Sequence, residues 1–156
     1  DRIENFLNNR EDVYLGSTRH FFYALMQNRL KQEGFKLYRV TAGPGPAWPN
    51  RLSEALSKGY LQSVEANEIK NHSSRKDFSV FSDDLLEIIY TGKEWKSSPY
   101  QDFPYQVSRI KINENLSVTA QGYVFNACSF VAYGFLAEER MAKMLPYEYG
   151  KEGLGQ

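Results

Sequence analysis

Residues Tyr14–Phe35 read YLGSTRHFFYALMQNRLKQEGF. The order is turn, helix cap, amphipathic helix, stop. Gly16 breaks what precedes it, and the Ser17 hydroxyl suits the orphan amides of a helix start. Phe21, Phe22, Leu25, Met26, Arg29 and Leu30 recur at three- and four-residue spacings, the mark of a single buried stripe. The spacing predicts a helix over 18–33, with Gly34 as the stop. On one side, residues 2–14 place Ile3, Phe6, Leu7 and Val13 at helical spacing. On the other, FKLYRV (35–40) alternates with period two and predicts a strand.

Farther along, residues 42–50 (AGPGPAWPN) hold too much Pro and Gly for a regular element. A short helix over 51–57 ends at Gly59; 60–76 is polar and ambiguous, with NEIKNHSSRKD (67–77) reading as an exposed loop. FSVF (78–81) and LLEIIY (85–90) flank Asp83-Asp84 and suggest a hairpin, closed by Thr91-Gly92. A polar, aromatic-bearing loop over 93–104 leads to a strand over 105–112 (YQVSRIKI). After the turn Asn113-Glu114-Asn115 comes a strand over 116–120, and 123–125 with 130–133 extend the sheet. LAEERMAKML (136–145) is a helix with Leu136, Met141 (or Arg140), Met144 and Leu145 facing inward and Pro146 as its stop. Strands joined by short turns and flanked by helices predict an α+β fold. Its parts are a curved antiparallel sheet, a long amphipathic helix packed on it and a second, C-terminal helix. One domain spans 1–149, and 150–156 form a flexible tail.

The 156 residues carry 19 basic and 19 acidic side chains, a balance that argues against nucleic-acid binding. Cys128 is the single cysteine, so no disulfide can form within the chain. No run of about 18 apolar residues exists to make a transmembrane segment. The opening residues show no signal-peptide pattern and read as a processed start. The 11 Tyr and 10 Phe suit half-wet sheet faces and ligand surfaces.

The stretch 14–40 resembles the signature of a Bacteroidetes cell-envelope family, the carboxypeptidase-like regulatory domain-containing proteins. The matching positions include Tyr14, Gly16, Ser17, Arg19, His20, Phe21, Glu33, Gly34 and Phe35. Near the other end, Gly134, Glu139, Arg140, Leu145, Pro146 and Tyr149 fit the family's closing motif, while Phe135 and Leu136 replace its usual Tyr-Trp. The resemblance implies a periplasmic or outer-membrane-associated location. It also implies an upstream β-sandwich domain in a larger protein, and it carries no implication of peptidase activity.

The candidate chemistry is sparse. Ser17 and His20 would make a hydrolase pair only with a third, positioning group and an oxyanion donor, and neither is legible. The plainer reading is a cap and a packed histidine. His20 and His72 lie outside any metal-binding spacing, no cofactor motif is present, and His72 reads as a solvated loop residue. Cys128, in NACSFVAYGF, reads as a small buried hydrophobe. Glu139 or Arg140 could form an ion pair with Arg19 or another charge of the first matched motif and dock the two motifs. Trp48, Trp95, Tyr100, Phe103 and Tyr105 cluster in or beside two loops and are the binding candidates; the plainer reading is that they cover the sheet ends. The leading expectation is a non-enzymatic envelope module for assembly or interaction with a protein partner. The alternative is a module binding a glycan, peptide or lipid through the aromatic loops, and a weaker one is a Ser17/His20 hydrolase.

Overall fold

The computed structural model describes residues 2–42, 48–72 and 77–144. Helix α1 (Arg2–Tyr14) lies exposed, with Ile3, Leu7 and Val13 facing solvent. Helix α2 (Thr18–Met26) follows, then β1 (Phe35–Val40), α3 (Leu52–Ser57) and β2 (Leu61–Ser63). A short α4 (Ala66–Ile69) leads into β3 (Lys70–His72), β4 (Asp77–Val80) and β5 (Leu86–Glu94). The chain continues through β6 (Tyr105–Ile112), β7 (Leu116–Thr119), β8 (Phe130–Gly134) and α5 (Phe135–Met144). The fold is α+β, as the pattern of elements predicts.

All strand pairing among the described residues is antiparallel. A five-stranded sheet has the order β2-β1-β5-β6-β8, and a three-stranded sheet has the order β3-β4-β7. On one face of the larger sheet, Phe35, Leu37, Ile88 and Ile110 join Phe21, Phe22 and Leu25 of α2. Val80, Leu116 and Val118 of the smaller sheet complete that core. The opposite face is also covered. Tyr38, Ile89 and Val107 pack there with Leu52 and Ala55 of α3 and with Tyr100 from the loop before β6.

Several expectations change. The helix predicted over 18–33 ends at Met26. Asn28 takes a left-handed backbone (φ 55°), and the amide of Arg29 donates to the Ala24 carbonyl at 2.8 Å. The Asn28 amide donates to Leu25, which completes a six-to-one helix stop with Asn in glycine's usual place. Lys70 Nζ reinforces the end by donating to the Leu25 and Met26 carbonyls and to Asn28 Oδ1. A second turn then repeats the device around Gly34 (φ 89°), with Phe35 N donating to Leu30 O at 2.8 Å. Arg29, expected in the buried stripe, is exposed and pairs with Glu33.

The predicted hairpin over 78–90 does not form. Strand β4 pairs with β3 and β7, whereas β5 pairs with β1 and β6. Between them Ser82 Oγ accepts from the Asp84 amide and turns the chain from one sheet to the other. Strand β5 runs on through Gly92 to Glu94 across an irregularity after Tyr90. The ambiguous polar stretch from 60 onward holds β2, α4 and β3, so the loop expected over 67–77 is replaced, among the described residues, by the end of α4, by β3 and by the start of β4. Its His72 is the last residue of β3. Residues 123–125 supply one bridge, Val118 to Val124, and no strand. Cys128 is exposed, because it sits in a 3-10 turn (Ala127–Ser129) whose neighbours Ala127 and Phe130 face the core instead. Met141 is exposed too, while Leu136 is buried as expected. Leu145, Pro146, Tyr149 and the tail over 150–156 lie outside the described residues.

Candidate functional site

The covered second face of the large sheet carries a charge that the sequence pattern hides. Glu87 of β5 stands directly across from Arg109 of β6, so both side chains rise on the same face. Glu87 is fully buried. Its carboxylate accepts from the Tyr100 hydroxyl at 2.8 Å and from Arg109 Nε at 3.0 Å. Burial pushes the Glu87 carboxyl above its usual range, and the Arg109 charge and the Tyr100 and Arg109 hydrogen bonds pull it back. Burial and the neighbouring Glu87 push the Tyr100 phenol upward, so it stays protonated and can donate.

Two loops hold this network in place. The Arg109 guanidinium lies 4.4 Å from the centre of the Trp48 ring, whose other neighbour is Tyr60 at 5.4 Å. Trp48 Nε1 donates to the Tyr100 hydroxyl at 3.3 Å. The loop after β5 is fixed to α3 by Asp102, whose carboxylate accepts the Leu52 and Ser53 amides at the helix start. Gln101 N also donates to Asn50 O at 2.7 Å. Above the network lies an apolar cleft of about 370 Å³ walled by Trp48, Trp95, Pro99, Arg109 and Tyr133.

The five aromatic candidates therefore divide. Trp48 and Trp95 wall the cleft. Tyr100 is buried beneath it as a hydrogen-bond relay. Phe103 and Tyr105 do not line the cleft; their rings meet edge to face with centres 4.9 Å apart, and Lys36 Nζ lies 5.0 Å from the centre of the Phe103 ring. Sequence reasoning missed Glu87, Arg109 and Tyr133. The available signals were a lone acid within LLEIIY and a base, one of two in YQVSRIKI, at the facing position. A larger hollow of about 680 Å³ beside β1 and β2 has exposed Lys31, Gln32, Glu65 and Asn67 among its walls. Polar side chains so well hydrated gain little by gripping a ligand, so the smaller apolar cleft is the better candidate.

The motif residues have structural partners. Ser17 Oγ accepts the His20 amide at 3.1 Å and caps α2. The His20 ring is buried; Nδ1 accepts from Gly16 N at 2.9 Å, so its proton sits on Nε2, 3.0 Å from Glu33. Glu33 thus orients the ring, but the other nitrogen faces a backbone amide and not the Ser17 hydroxyl. This geometry does not make a nucleophile–base pair. Arg19 stacks 4.2 Å over Tyr123 and makes no ion pair among the described residues. Glu139 does dock α5 onto the first motif, through Thr18: its Oε2 accepts from Thr18 N at 3.1 Å and Thr18 Oγ at 3.3 Å. Arg140 donates to the Phe130 and Ala127 carbonyls. Glu139→Ala and Thr18→Val should each lower stability by about 1 kcal/mol, and the double variant should lose less than their sum. Urea unfolding of the four proteins measures this, and strictly additive losses would refute the contact.

Among the described residues, no group of three or more His, Cys, Asp or Glu is placed to hold a metal ion. No helix among them is long and apolar enough to cross a membrane. Comparison with protein-family models, with curated proteins and with solved structures finds no match to this chain.

Proposed function

We propose that this chain is a non-enzymatic binding module whose ligand sits in the cleft between Trp48, Trp95 and Tyr133. The supporting observation is the pairing of an apolar cleft with a buried, hydrogen-bonded Glu87–Arg109–Tyr100 floor. A buried ion pair is a costly way to stabilise a sheet, since apolar side chains of the same size do as well. It is a good way to hold a guanidinium still. A glycan, peptide or lipid fragment fits the size class of such clefts. The resemblance to the Bacteroidetes envelope family supports a periplasmic or outer-membrane-associated setting for the module.

The test is native mass spectrometry of protein purified without refolding, set against its denatured mass. The expected result is an added mass on the unaltered protein that disappears in Trp95→Ala. A bare mass, or an added mass indifferent to Trp95, overturns the reading. One observation favours assembly as a second reading: no described strand lies beyond β8, and its Val131 and Tyr133 are exposed. A dimer in the same spectrum, lost when Val131 is replaced by Lys, would select that role.

A further inference from the structure

We infer that the cleft recognises its ligand as a carboxylate, an apolar group carrying a terminal acid that is gripped by the outer edge of Arg109. The inference rests on the binding reading above and adds the chemistry of the ligand.

Apart from the neutral hydroxyls of Ser97 and Tyr133, which can hydrogen-bond a ligand without selecting for charge, the polar groups at the cleft leave few choices. Glu87 is fully buried, and both its oxygens are engaged by Tyr100 and Arg109. Trp48 Nε1 is spent on the Tyr100 hydroxyl. Ser108 is buried, and its hydroxyl accepts the Leu136 amide. Arg109 remains. Its Nε is committed to Glu87, and neither Nη nitrogen has a hydrogen-bond partner among the described residues. The side chain is 17% exposed and lines the cleft.

A guanidinium edge with two unsatisfied nitrogens matches the two oxygens of a carboxylate. It is also already oriented. Glu87 holds one end and the Trp48 face holds the plane, so little side-chain freedom is left to lose on binding. The rest of the cleft offers Trp95, Pro99 and Tyr133, which suit an acyl, aryl or aliphatic side-chain group. The volume, about 370 Å³, accommodates one such group and not a long chain. Two sources share this chemistry: a free amphiphilic acid and the C-terminal residue of a peptide. Tyr133 belongs to β8, which pairs with β6 on one side and with no described strand on the other, so an extended peptide could reach the cleft along that outer edge.

The test titrates the full chain, by tryptophan fluorescence and calorimetry, with decanoate against decanamide. In parallel it uses a blocked tripeptide ending in free leucine against its C-terminal amide. The expected result is that at least one acid binds about tenfold more tightly than its neutral partner. Arg109→Lys, which keeps the charge beside Glu87 but loses the fork, should erase that preference. Decanoate preference alone identifies an amphiphilic acid, and peptide preference alone identifies a C-terminus. Equal binding of acid and neutral probe, or an acid preference that survives Arg109→Lys, overturns the carboxylate inference and leaves the binding reading standing. Failure of all four probes at millimolar concentration also overturns it. The binding reading itself is decided separately by the native mass of the purified protein. Should Arg109→Lys fold poorly, the comparison of acid and neutral probes on the unaltered chain is decisive alone.

Discussion

Arg109→Met should cost about 3–5 kcal/mol of folding stability, far more than the loss of a surface charge. The reason lies in Glu87. With Arg109 present, the buried carboxylate has a cation at 3.0 Å and a phenol at 2.8 Å. With Met there, the same carboxylate is left in an apolar layer with Tyr100 alone. It must then either stay charged without compensation or take up a proton. Replacing both residues, as Glu87→Leu with Arg109→Met, should recover most of the loss, because neither buried charge remains. The pH dependence separates this account from simple loss of packing. The carboxyl of folded Glu87 already lies above its ordinary value, so the folded state holds that proton more tightly than the unfolded chain does. This group's contribution is therefore fully present below the unfolded carboxyl range and is lost as pH rises through the raised folded value. Arg109 holds that value down, so the variant should extend the loss to higher pH. Urea unfolding at pH 5 and at about pH 8 makes the comparison. A variant that loses under about 1 kcal/mol, or whose loss does not grow with pH, would show that Glu87 is not buried as described.

The same network shows what was legible in the sequence and what was not. Ser17 and the strand alternations read correctly because each depends on local geometry, a cap hydroxyl or a two-residue period, whereas Gly34 is left-handed but closes the turn after Leu30 and does not stop α2. The end of α2 did not, because Asn28 can adopt the left-handed stop and the decisive Lys70 lies far along the chain. Alternation in YQVSRIKI sorts side chains onto two faces but does not say what covers either. Arg109 sits on the face that looks solvent-bound, and the loop before β6 closes over it. Partner choice is equally silent. The segments over 77–80 and 86–94 are adjacent strands in sequence, yet they enter different sheets, because Ser82 and Asp84 turn the chain between them. Grouping the aromatic loops took in both tryptophans of the cleft. It could not separate Trp48 and Trp95, which wall the cleft, from Phe103 and Tyr105, which meet edge to face and do not line it.

Gly122→Ala should be the most damaging of the small substitutions, at about 2–4 kcal/mol. Gly122 has a left-handed backbone (φ 89°), and a Cβ there would lie 2.5 Å from Tyr23 N and 2.6 Å from Arg19 O. Both are backbone atoms of α2, so no rotamer change can relieve the clash. The hairpin end carrying Tyr123 would have to lift from the helix. Lifting it would pull Tyr123 from beneath Arg19, whose guanidinium now lies 4.2 Å from the ring. Gly59→Ala is the matched control. Its backbone is also left-handed (φ 75°), but a Cβ there meets nothing within 4 Å. It should lose only the conformational part, about 1 kcal/mol. The difference between the two variants in urea unfolding thus isolates the close approach of the β7 turn to α2. Equal losses would mean that the turn is free to move away from the helix. The close packing of α2 would then rest on the sheet face, where Phe21 and Phe22 are buried, and the turn would contribute none of it.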